Sequence, residues 1–307
     1  MEPSITKVAW LFPGQGSQQV GMGRALCEKS ATARELFEKA DEILRRPIST
    51  ICFEGPEELL RQTVNTQPAI FVVSLACLAA FRAREESANL PAFVAGHSLG
   101  EYTAAVAAGA LSFEDGLSLV QERGRLMQAA GEENPGTMIA VLGLDEAVAR
   151  EICSASGAQV CNVNAPGQVV IGGGPDAVAR ATEVAKSYGA RRIMPLSVGG
   201  AFHTSLMQPA AEGMAAALAK TGFSAPRVPI IANGTGMPVS DVEGLQKELS
   251  YQLTHPVLWQ QSVEYMVAEG VNVFVEFGPG QVLSGLVKRM APAASINSVG
   301  EGELLGR

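Results

Sequence analysis

The middle of the chain shows a regular succession of apolar runs and helical stretches between about residues 135 and 197. Asp145 and Asp176 precede two of the helical stretches, so we expect both to be helix N-caps. The predicted order is a strand (138–142), a helix (145–155), two strands (159–164 and 168–171), a helix (176–188) and a strand (191–196). This β-α-β-β-α-β order is typical of a ferredoxin-like unit inserted into a larger chain.

A strand-to-helix turn is predicted around residue 98. An apolar run over 90–95 leads into the pattern G-x-S-x-G over 96–100, and an alanine-rich helix is predicted over 99–108. Glycines flank such a turn because the backbone is tight and a Cβ would clash. The serine oxygen then lies at the positive end of the new helix, where developing negative charge is stabilised. The context favours Ser98 as a nucleophile over an ordinary turn serine.

The apolar runs that flank the inserted unit predict a parallel sheet. Runs over 8–12, 228–233 and 271–276 suit strands, and the last two have the continuous apolar character of buried parallel strands. The expected fold class is α/β, an α/β-hydrolase-like parallel-sheet domain with an inserted ferredoxin-like subdomain. The expected boundaries are 1–134 and 205–307 for the large domain and 135–204 for the small one.

Composition narrows the class of protein. At 307 residues, with 47% hydrophobic and 18% charged residues, the chain suits a globular enzyme. It shows no signal peptide and no run of the roughly 18 apolar residues that a membrane span needs. Five cysteines without a C-x-x-C pair suggest reduced thiols in a cytoplasm and argue against a zinc site or disulfides. The net charge of −8 argues against nucleic acid as a partner.

Three histidines are candidates for the general base. His97 precedes the candidate nucleophile, and adjacent side chains diverge at such a turn, so we expect a structural role. His255 lies in a turn-like Leu-Thr-His-Pro setting and remains the second candidate. His203 leaves a predicted strand through a Gly-Gly turn, which suits a residue that lines a cleft. We therefore prefer His203, with a satisfied loop histidine as its alternative.

The third member of a catalytic triad is not evident. An acid normally lies between the serine and the histidine in hydrolase-type sites. Asp115, Asp145 and Asp176 lie in that interval without a distinctive setting. A Ser-His pair whose imidazole is oriented by a neutral acceptor is the simpler interpretation.

The glycine-rich segment over 13–18 follows the first predicted strand. It has neither the spacing nor the lysine of a phosphate-binding loop. It is either a bare turn or a source of one oxyanion-hole amide, with the amide of Leu99 as the other.

Six motifs occur in an order that resembles the malonyl-CoA:acyl carrier protein transacylases of bacterial fatty acid synthesis. They are FPGQGSQ (12–18), GHSLGEY (96–102), RGRLMQ (123–128), NVNAPGQVV (162–170), FH (202–203) and FGPG (277–280). The resemblance covers about residues 8–289, and its order makes coincidence negligible.

The resemblance implies a role for particular side chains and amides. These are Ser98 as the acylated nucleophile, His203 as base and then acid, Gln252 as the main-chain carbonyl that orients His203, Gln15 and Leu99 as oxyanion-hole amides, and Arg123, Phe202 and Asn164 as substrate-binding residues. A guanidinium suits a malonyl carboxylate because its planar fork can bind both oxygens. By sequence alone Arg123 is a helix arginine, and such residues are usually solvated, as we expect for Arg125.

Phe202 bears on acyl specificity and on the pathway. A phenylalanine before the histidine resembles malonyl-selective acyltransferases of polyketide assembly, whereas many fatty-acid members have a serine there. A phenyl ring would crowd a methyl branch, although one methyl is worth only about 1–3 kcal/mol of discrimination. A trans-acting acyltransferase of a polyketide synthase therefore remains an alternative.

The resemblance implies ping-pong transfer of malonyl from coenzyme A to acyl carrier protein, without a metal or redox cofactor. The rivals are a serine thioesterase or hydrolase and a non-catalytic docking subunit. A monomer is expected. Because acyl carrier proteins are acidic, we expect a local group of cations to bind them. The candidate cations are Lys288, Arg289, Arg191 and Arg192. The alternative is that these four are ordinary solvated surface charges.

Overall fold

Two sheets organise the protein in the computed structural model, which describes residues 6–84 and 90–300. The strands are β1 (Val8–Phe12), β2 (Phe93–Gly96), β3 (Thr137–Leu142), β4 (Gln159–Ala165), β5 (Gln168–Gly173), β6 (Arg192–Pro195), β7 (Ile230–Ile231), β8 (Pro238–Val239), β9 (Val273–Phe277) and β10 (Ser295–Val299). The first seven α-helices are α1 (Arg24–Lys29), α2 (Ala31–Leu44), α3 (Ile48–Glu54), α4 (Glu57–Arg61), α5 (Thr63–Arg84), α6 (Gly100–Ala107) and α7 (Phe113–Glu133). The others are α8 (Glu146–Ser156), α9 (Pro175–Ser187), α10 (Gln208–Leu218), α11 (Val242–Tyr251), α12 (Trp259–Ala268) and α13 (Val282–Met290), with a short 3-10 helix at Ser205–Met207.

The larger sheet has six strands in the order β10-β9-β1-β2-β7-β8. All its pairs are parallel except β7 with β8. The register places Phe12 beside Gly96, so β1 and β2 end together at one edge of the sheet. The loop after β1 and the turn after β2 therefore meet at that edge, and the α/β fold class with a parallel core is confirmed.

The smaller sheet is antiparallel, with the order β4-β5-β3-β6, and α8 and α9 connect its strands. Its own core includes Val141, Ile152 and Ile171, all fully buried. The predicted β-α-β-β-α-β order is present, because strand alternation and helical spacing are both strong in this segment.

The two predicted N-caps of the small sheet's helices have different outcomes. The Asp145 side chain accepts a hydrogen bond from the amide of Val148, as expected of an N-cap. The prediction for Asp176 is wrong, because the N-cap of α9 is Gly174 and Asp176 lies in the first turn. Pro175 has no amide hydrogen and a helical φ, which makes it the first helical residue and places the cap two positions earlier than predicted.

Two predicted strands of the large sheet are shorter than expected. The run over 228–233 forms only Ile230–Ile231, because the amide of Asn233 donates to the side chain of Glu101 and leaves the ladder. The run over 90–95 starts pairing at Phe93, and Leu90 is exposed.

Helix α5 is the one described helix that is long and apolar enough to cross a membrane by length and composition. Its 22 residues are mostly buried inside the protein, packed against α7 and α2. It is thus placed as the core helix of a globular domain, and it carries Gln67 toward the site described below.

The small sheet is attached directly to the segment that precedes α12. The amide of Val257 donates to the carbonyl of Cys161, and the amide of Val163 donates to the carbonyl of Val257, both at 2.9 Å. Arg289 of α13 also reaches across to the β4–β5 turn, where it donates to the carbonyl of Pro166 at 3.0 Å. These contacts hold the two sheets against each other around the cavity that contains Ser98.

Candidate active site

The Ser98 turn is sterically dependent on its glycines. Ser98 has φ of +54°, the left-handed region that costs a non-glycine residue on the order of 1–3 kcal/mol. A Cβ on Gly96 would overlap the backbone of Gly100, and a Cβ on Gly100 would overlap the carbonyl of Phe12. The G-x-S-x-G spacing therefore lets β2, α6 and β1 approach closely and directs the serine oxygen into the cavity.

Asn233 holds this turn in place. Its Oδ1 accepts a hydrogen bond of 2.6 Å from the amide of Ser98, and its Nδ2 donates to the carbonyl of Gly96 at 2.7 Å. Sequence reasoning missed Asn233, because it lies 135 residues from Ser98 and only the fold brings the two together.

Ser98, His203 and Gln252 form a relay of hydrogen bonds. Ser98 Oγ lies 2.8 Å from His203 Nε2, and His203 Nδ1 lies 2.6 Å from the main-chain carbonyl of Gln252. A carbonyl can only accept, so Nδ1 carries the proton and Nε2 presents a lone pair to the serine hydroxyl. His203 also has a left-handed backbone, with φ of +61°. Within residues 6–84 and 90–300 no carboxylate contacts this ring, so the neutral acceptor takes the place that an acid has in a triad.

The surroundings keep His203 neutral. Burial lowers the pKa of His203, and the positive charge of Arg123 lowers it further, to about 3. The imidazole is therefore unprotonated near pH 7 and ready to accept a proton.

Arg123 is buried, in contrast to the expectation for an ordinary helix arginine. Only 1% of it is exposed. Its Nη1 donates to Oε1 of Gln67 at 2.8 Å, and its Nη2 donates to Oε1 of Gln252 at 2.7 Å and to Ser98 Oγ at 3.0 Å. The guanidinium also lies 5.5 Å from the ring of Tyr102. Gln67 was missed by sequence reasoning, since nothing in the apolar pattern of α5 distinguishes it.

The protein partners of the Arg123 guanidinium are uncharged. Its hydrogen bonds go to two side-chain amides and one hydroxyl, and its buried Nε has no partner in the part of the chain that the structure describes. Arg125, two residues on, is exposed and paired with Glu122 at 2.6 Å. The charge of Arg123 is therefore available to an anionic ligand beside the serine, whereas that of Arg125 is not.

A cavity of about 100 Å³ contains these groups. The segments that follow β1 and β2, helix α7 and the small sheet with the loop after it line this cavity, through Gln15, His97, Ser98, Arg123, Met127, Met138, Asn162, Leu196, Val198, Phe202 and His203. Phe202 is 6% exposed and forms part of the apolar wall, next to the charged end. Such a mixture suits a short acyl group that has a negative terminus.

The candidate oxyanion amides lie at the same cavity. Gln15 lines it, and Leu99 directly follows the serine at the start of α6. In residues 6–84 and 90–300, neither amide donates a hydrogen bond to a protein acceptor. Both amides are thus free to donate to a ligand oxygen.

The other two histidines and Asn164 have different surroundings. His97 Nε2 lies 2.9 Å from Oδ1 of Asn164, so this asparagine is occupied by a protein partner, and Asn162 lines the cavity instead. The ring of His255 stacks on Tyr251 at 3.4 Å, and its Nδ1 lies 2.9 Å from the carbonyl of Tyr251. His255 does not contact the serine.

The four candidate docking cations are divided between the two sheets. Arg289 is occupied by Pro166 and by Oε1 of Gln168, whereas Lys288 lines a separate cavity of about 870 Å³. That larger cavity contains none of the candidate catalytic residues. Arg191 and Arg192 are exposed at β6.

Within residues 6–84 and 90–300, no three or more His, Cys, Asp or Glu side chains are grouped so that they could hold a metal ion. The five cysteines, all within the described residues, form no disulfide, and four of them are buried.

Comparison with known proteins gives consistent matches. The acyl transferase domain family matches residues 9–303. A malonyl CoA-acyl carrier protein transacylase of Bacillus subtilis is 43% identical over 291 residues, 93% of this chain and 91% of the relative. The structure of an acyl-carrier-protein S-malonyltransferase from Bartonella henselae has a TM-score of 0.93 and 42% identity, over 98% of this chain and 97% of that one. A malonyl-transacylase solved in complex with its type II PKS acyl carrier protein has a TM-score of 0.91 and 37% identity, over 98% of both chains.

Proposed function

We propose, from the premise that this chain is an acyltransferase of the acyl transferase domain family, that it carries malonyl from coenzyme A to the phosphopantetheine thiol of an acyl carrier protein. Within that family the chain belongs to the malonyl-CoA:acyl carrier protein transacylases. The observation that carries the choice of malonyl is the position of Arg123. Its Nη2 lies 3.0 Å from Ser98 Oγ, and its protein partners are uncharged. A hydrolase for neutral esters has no use for a buried cation at this place.

In the first half-reaction, Ser98 Oγ attacks the thioester carbonyl while His203 Nε2 takes the hydroxyl proton. The amides of Gln15 and Leu99 stabilise the oxyanion. The C–S bond then breaks, and the protonated His203 donates its proton to the departing thiolate, which leaves a malonyl ester on Ser98. Arg123 binds the free carboxylate and so places the carbonyl against the serine.

In the second half-reaction, the carrier thiol takes the position of coenzyme A. His203 accepts the thiol proton, the sulfur attacks the ester carbonyl, and the proton returns to Ser98 Oγ as the serine leaves. The narrow cavity with its apolar wall of Met127, Met138 and Phe202 limits water, which would otherwise hydrolyse the ester. The reaction needs no electron transfer, and we propose that it uses no cofactor.

The carrier partner and its docking surface belong to the same proposal. A type II PKS carrier is the partner of one similar transacylase, and Phe202 resembles polyketide acyltransferases, so a carrier of polyketide synthesis remains an alternative to one of fatty acid synthesis. Since Arg289 is occupied within the protein, Lys288, Arg191 and Arg192 are the stronger docking candidates.

We further propose a cytoplasmic monomer whose large domain (1–134 and 205–307) and small domain (135–204) enclose the cavity.

Intact mass after brief incubation with malonyl-CoA tests the acyl-enzyme. We expect a malonyl adduct on the wild-type protein and none on Ser98→Ala. Arg123→Ala should reduce malonyl labelling by about tenfold or more, the value of one charge-assisted hydrogen bond, with little change in acetyl labelling from acetyl-CoA.

Arg125→Ala is the matched control, because this exposed arginine lies in the same helix and should leave both labels unchanged. Release of free malonate without an adduct would favour a thioesterase, and neither adduct nor turnover would contradict a catalytic role. Addition of holo acyl carrier protein to the labelled protein should move the malonyl group to the carrier.

A further inference from the structure

The first turn of α6 carries a buried carboxylic acid that the proposed reaction does not use. Glu101 is fully buried, three residues after Ser98. Its Oε1 accepts a hydrogen bond of 2.9 Å from the amide of Asn233, and its Oε2 accepts one of 2.6 Å from Nε2 of Gln252. Both partners belong to segments that hold the site, so one carboxylate connects two parts of it.

The first connection runs through the side chain of Gln252. Its Oε1 accepts from Arg123 Nη2 at 2.7 Å, and its Nε2 donates to the carbonyl of Ser98 at 3.1 Å as well as to Glu101. A side-chain amide can rotate by half a turn and exchange its oxygen with its nitrogen. A carboxylate can only accept, so Glu101 selects the orientation in which Oε1 faces the arginine.

The second connection runs through Asn233. Glu101 holds the backbone amide of Asn233, while the side chain of Asn233 holds the amide of Ser98 and the carbonyl of Gly96. The left-handed conformation of Ser98 persists only where the surrounding contacts determine it. Glu101 therefore supports the serine turn at one oxygen and the arginine's acceptor at the other.

Both partners of Glu101 are N–H donors, which favours an ionised carboxyl. Burial raises the pKa of Glu101, as does the neighbouring Glu248, and the charge of Arg123 acts in the opposite direction. Both oxygens of Glu101 nevertheless accept hydrogen bonds from N–H donors, and such bonds stabilise the charged form. The contacts thus fit the anion, which balances the Arg123 charge through Gln252 without pairing with it directly.

We propose that Glu101 is a positioning residue for acyl selection: by fixing the amide of Gln252, it keeps the Arg123 guanidinium aligned and free for a substrate carboxylate. This rests on the proposed function, since it assumes that Arg123 binds the malonyl carboxylate. An acid in direct contact with Arg123 would compete with that carboxylate. Glu101 contacts Arg123 only through the side-chain amide of Gln252, so it can orient the guanidinium without occupying the side that would bind the substrate carboxylate.

Glu101→Gln tests the inference because it keeps the volume and replaces one acceptor by a donor. The backbone amide of Asn233 cannot rotate, so the new NH₂ group faces Gln252 and favours the flipped amide. In that orientation, Nε2 of Gln252 opposes the Arg123 guanidinium, donor against donor. We expect kcat/KM for malonyl labelling to fall by about tenfold or more through a higher KM, with a smaller change for acetyl-CoA.

Glu248→Gln is the matched control. This neighbouring carboxyl is also buried and accepts from the amide of Gly234 at 2.7 Å, but it makes no hydrogen bond with the side chain of Gln252, and the backbone amide of Gln252 is bonded only to the backbone carbonyl of Glu248. Its malonyl-to-acetyl ratio should equal that of the wild-type protein. Should Glu101→Gln not fold, Glu101→Asp carries the test, because it keeps two acceptors but retracts them, and its ratio should also fall.

The possible results distinguish a failure of the role inferred for Glu101 from a failure of the proposed malonyl transfer. An equal loss of malonyl and acetyl labelling, or no loss of either, would overturn the role of Glu101 while the wild-type protein still transfers malonyl. A wild-type protein that forms no malonyl adduct would overturn the proposed function itself. A malonyl-to-acetyl ratio that falls in the Glu101 variant and not in Glu248→Gln supports the inference.

Discussion

The environment of His203, the proposed base, fixes its protonation state. Burial is the larger cause of its lowered pKa, and the charge of Arg123 is the second. The same arginine that would bind the substrate carboxylate therefore also keeps the imidazole unprotonated. Arg123 therefore links the proposed selection of the acyl group to the protonation state of His203.

The pH dependence of acylation follows from this shift. Because the pKa of His203 is lowered to about 3, the base form is present at every pH above that value. The rate of Ser98 acylation should therefore stay level from pH 8 down to about pH 5 and should not fall through the ordinary histidine value of about 6.5. Quenched-flow labelling across this range measures it.

The Arg123→Gln variant, assayed with acetyl-CoA, is the control for the cause of the shift. Removing the charge should move the acid limb to higher pH, while burial still keeps it below the ordinary value. An acid limb near pH 6.5 in the wild-type protein would contradict the assignment of His203 as a buried neutral base.

Residue patterns predicted some members of this site and not others. Ser98 and His203 stand in recognisable turns, and the structure brings them within 2.8 Å, although their catalytic roles stay predictions. Gln67 and Asn233 carry no local signal, and the motif that contains Glu101 does not reveal which residues it contacts. Their contacts join positions that are 56, 135 and 132 residues from their partners, so only the completed fold reveals them.

At the scale of elements, the junction of β1, β2 and α6 depends on the absence of side chains. The turn packs so closely that even a methyl group on Gly100 would overlap the carbonyl of Phe12. The elements that could be predicted from the sequence were those with a strong local pattern of hydrophobic and polar residues. The small sheet's strands and helices matched within a few residues, whereas β7 ended early because Asn233 pairs with a side chain.

Gly100→Ala should therefore destabilise the protein by about 2 kcal/mol or more, since backbone atoms must move to accept the Cβ. The midpoint of urea unfolding measures the effect. Gly285→Ala is the control, because nothing lies within 4 Å of its Cβ position on α13. Alanine there should stabilise by about 0.5–1 kcal/mol through helix propensity. Equal effects of the two substitutions would contradict the steric argument.

At the scale of the whole molecule, the two sheets share a core. Met138 and Val170 of the small sheet belong to the same buried cluster as Phe12 and Phe277 of the large one. The opposite face of the small sheet has its own cluster, which includes Ile171. One face of the small sheet is thus covered only when both sheets are present.

We expect a single cooperative unfolding transition for this reason. We expect Met138→Ala in the shared cluster and Ile171→Ala in the small sheet's own cluster each to lower the free energy of unfolding by about 2–5 kcal/mol. In both variants the protein should still unfold in one common transition, at a lower temperature. Calorimetry measures this through the agreement of calorimetric and van't Hoff enthalpies. A second transition that Ile171→Ala alone displaces would show that the small sheet unfolds independently.

The order of the site residues along the chain has a consequence for synthesis on the ribosome. The proposed nucleophile is at position 98 and its proposed base at 203, whereas Asn233 holds the serine turn and the carbonyl of Gln252 contacts the base. A nascent chain carries the serine for most of its elongation without the partners that activate it. The hydroxyl therefore remains an ordinary alcohol, inert toward cellular thioesters, until the last part of the chain has emerged and folded back.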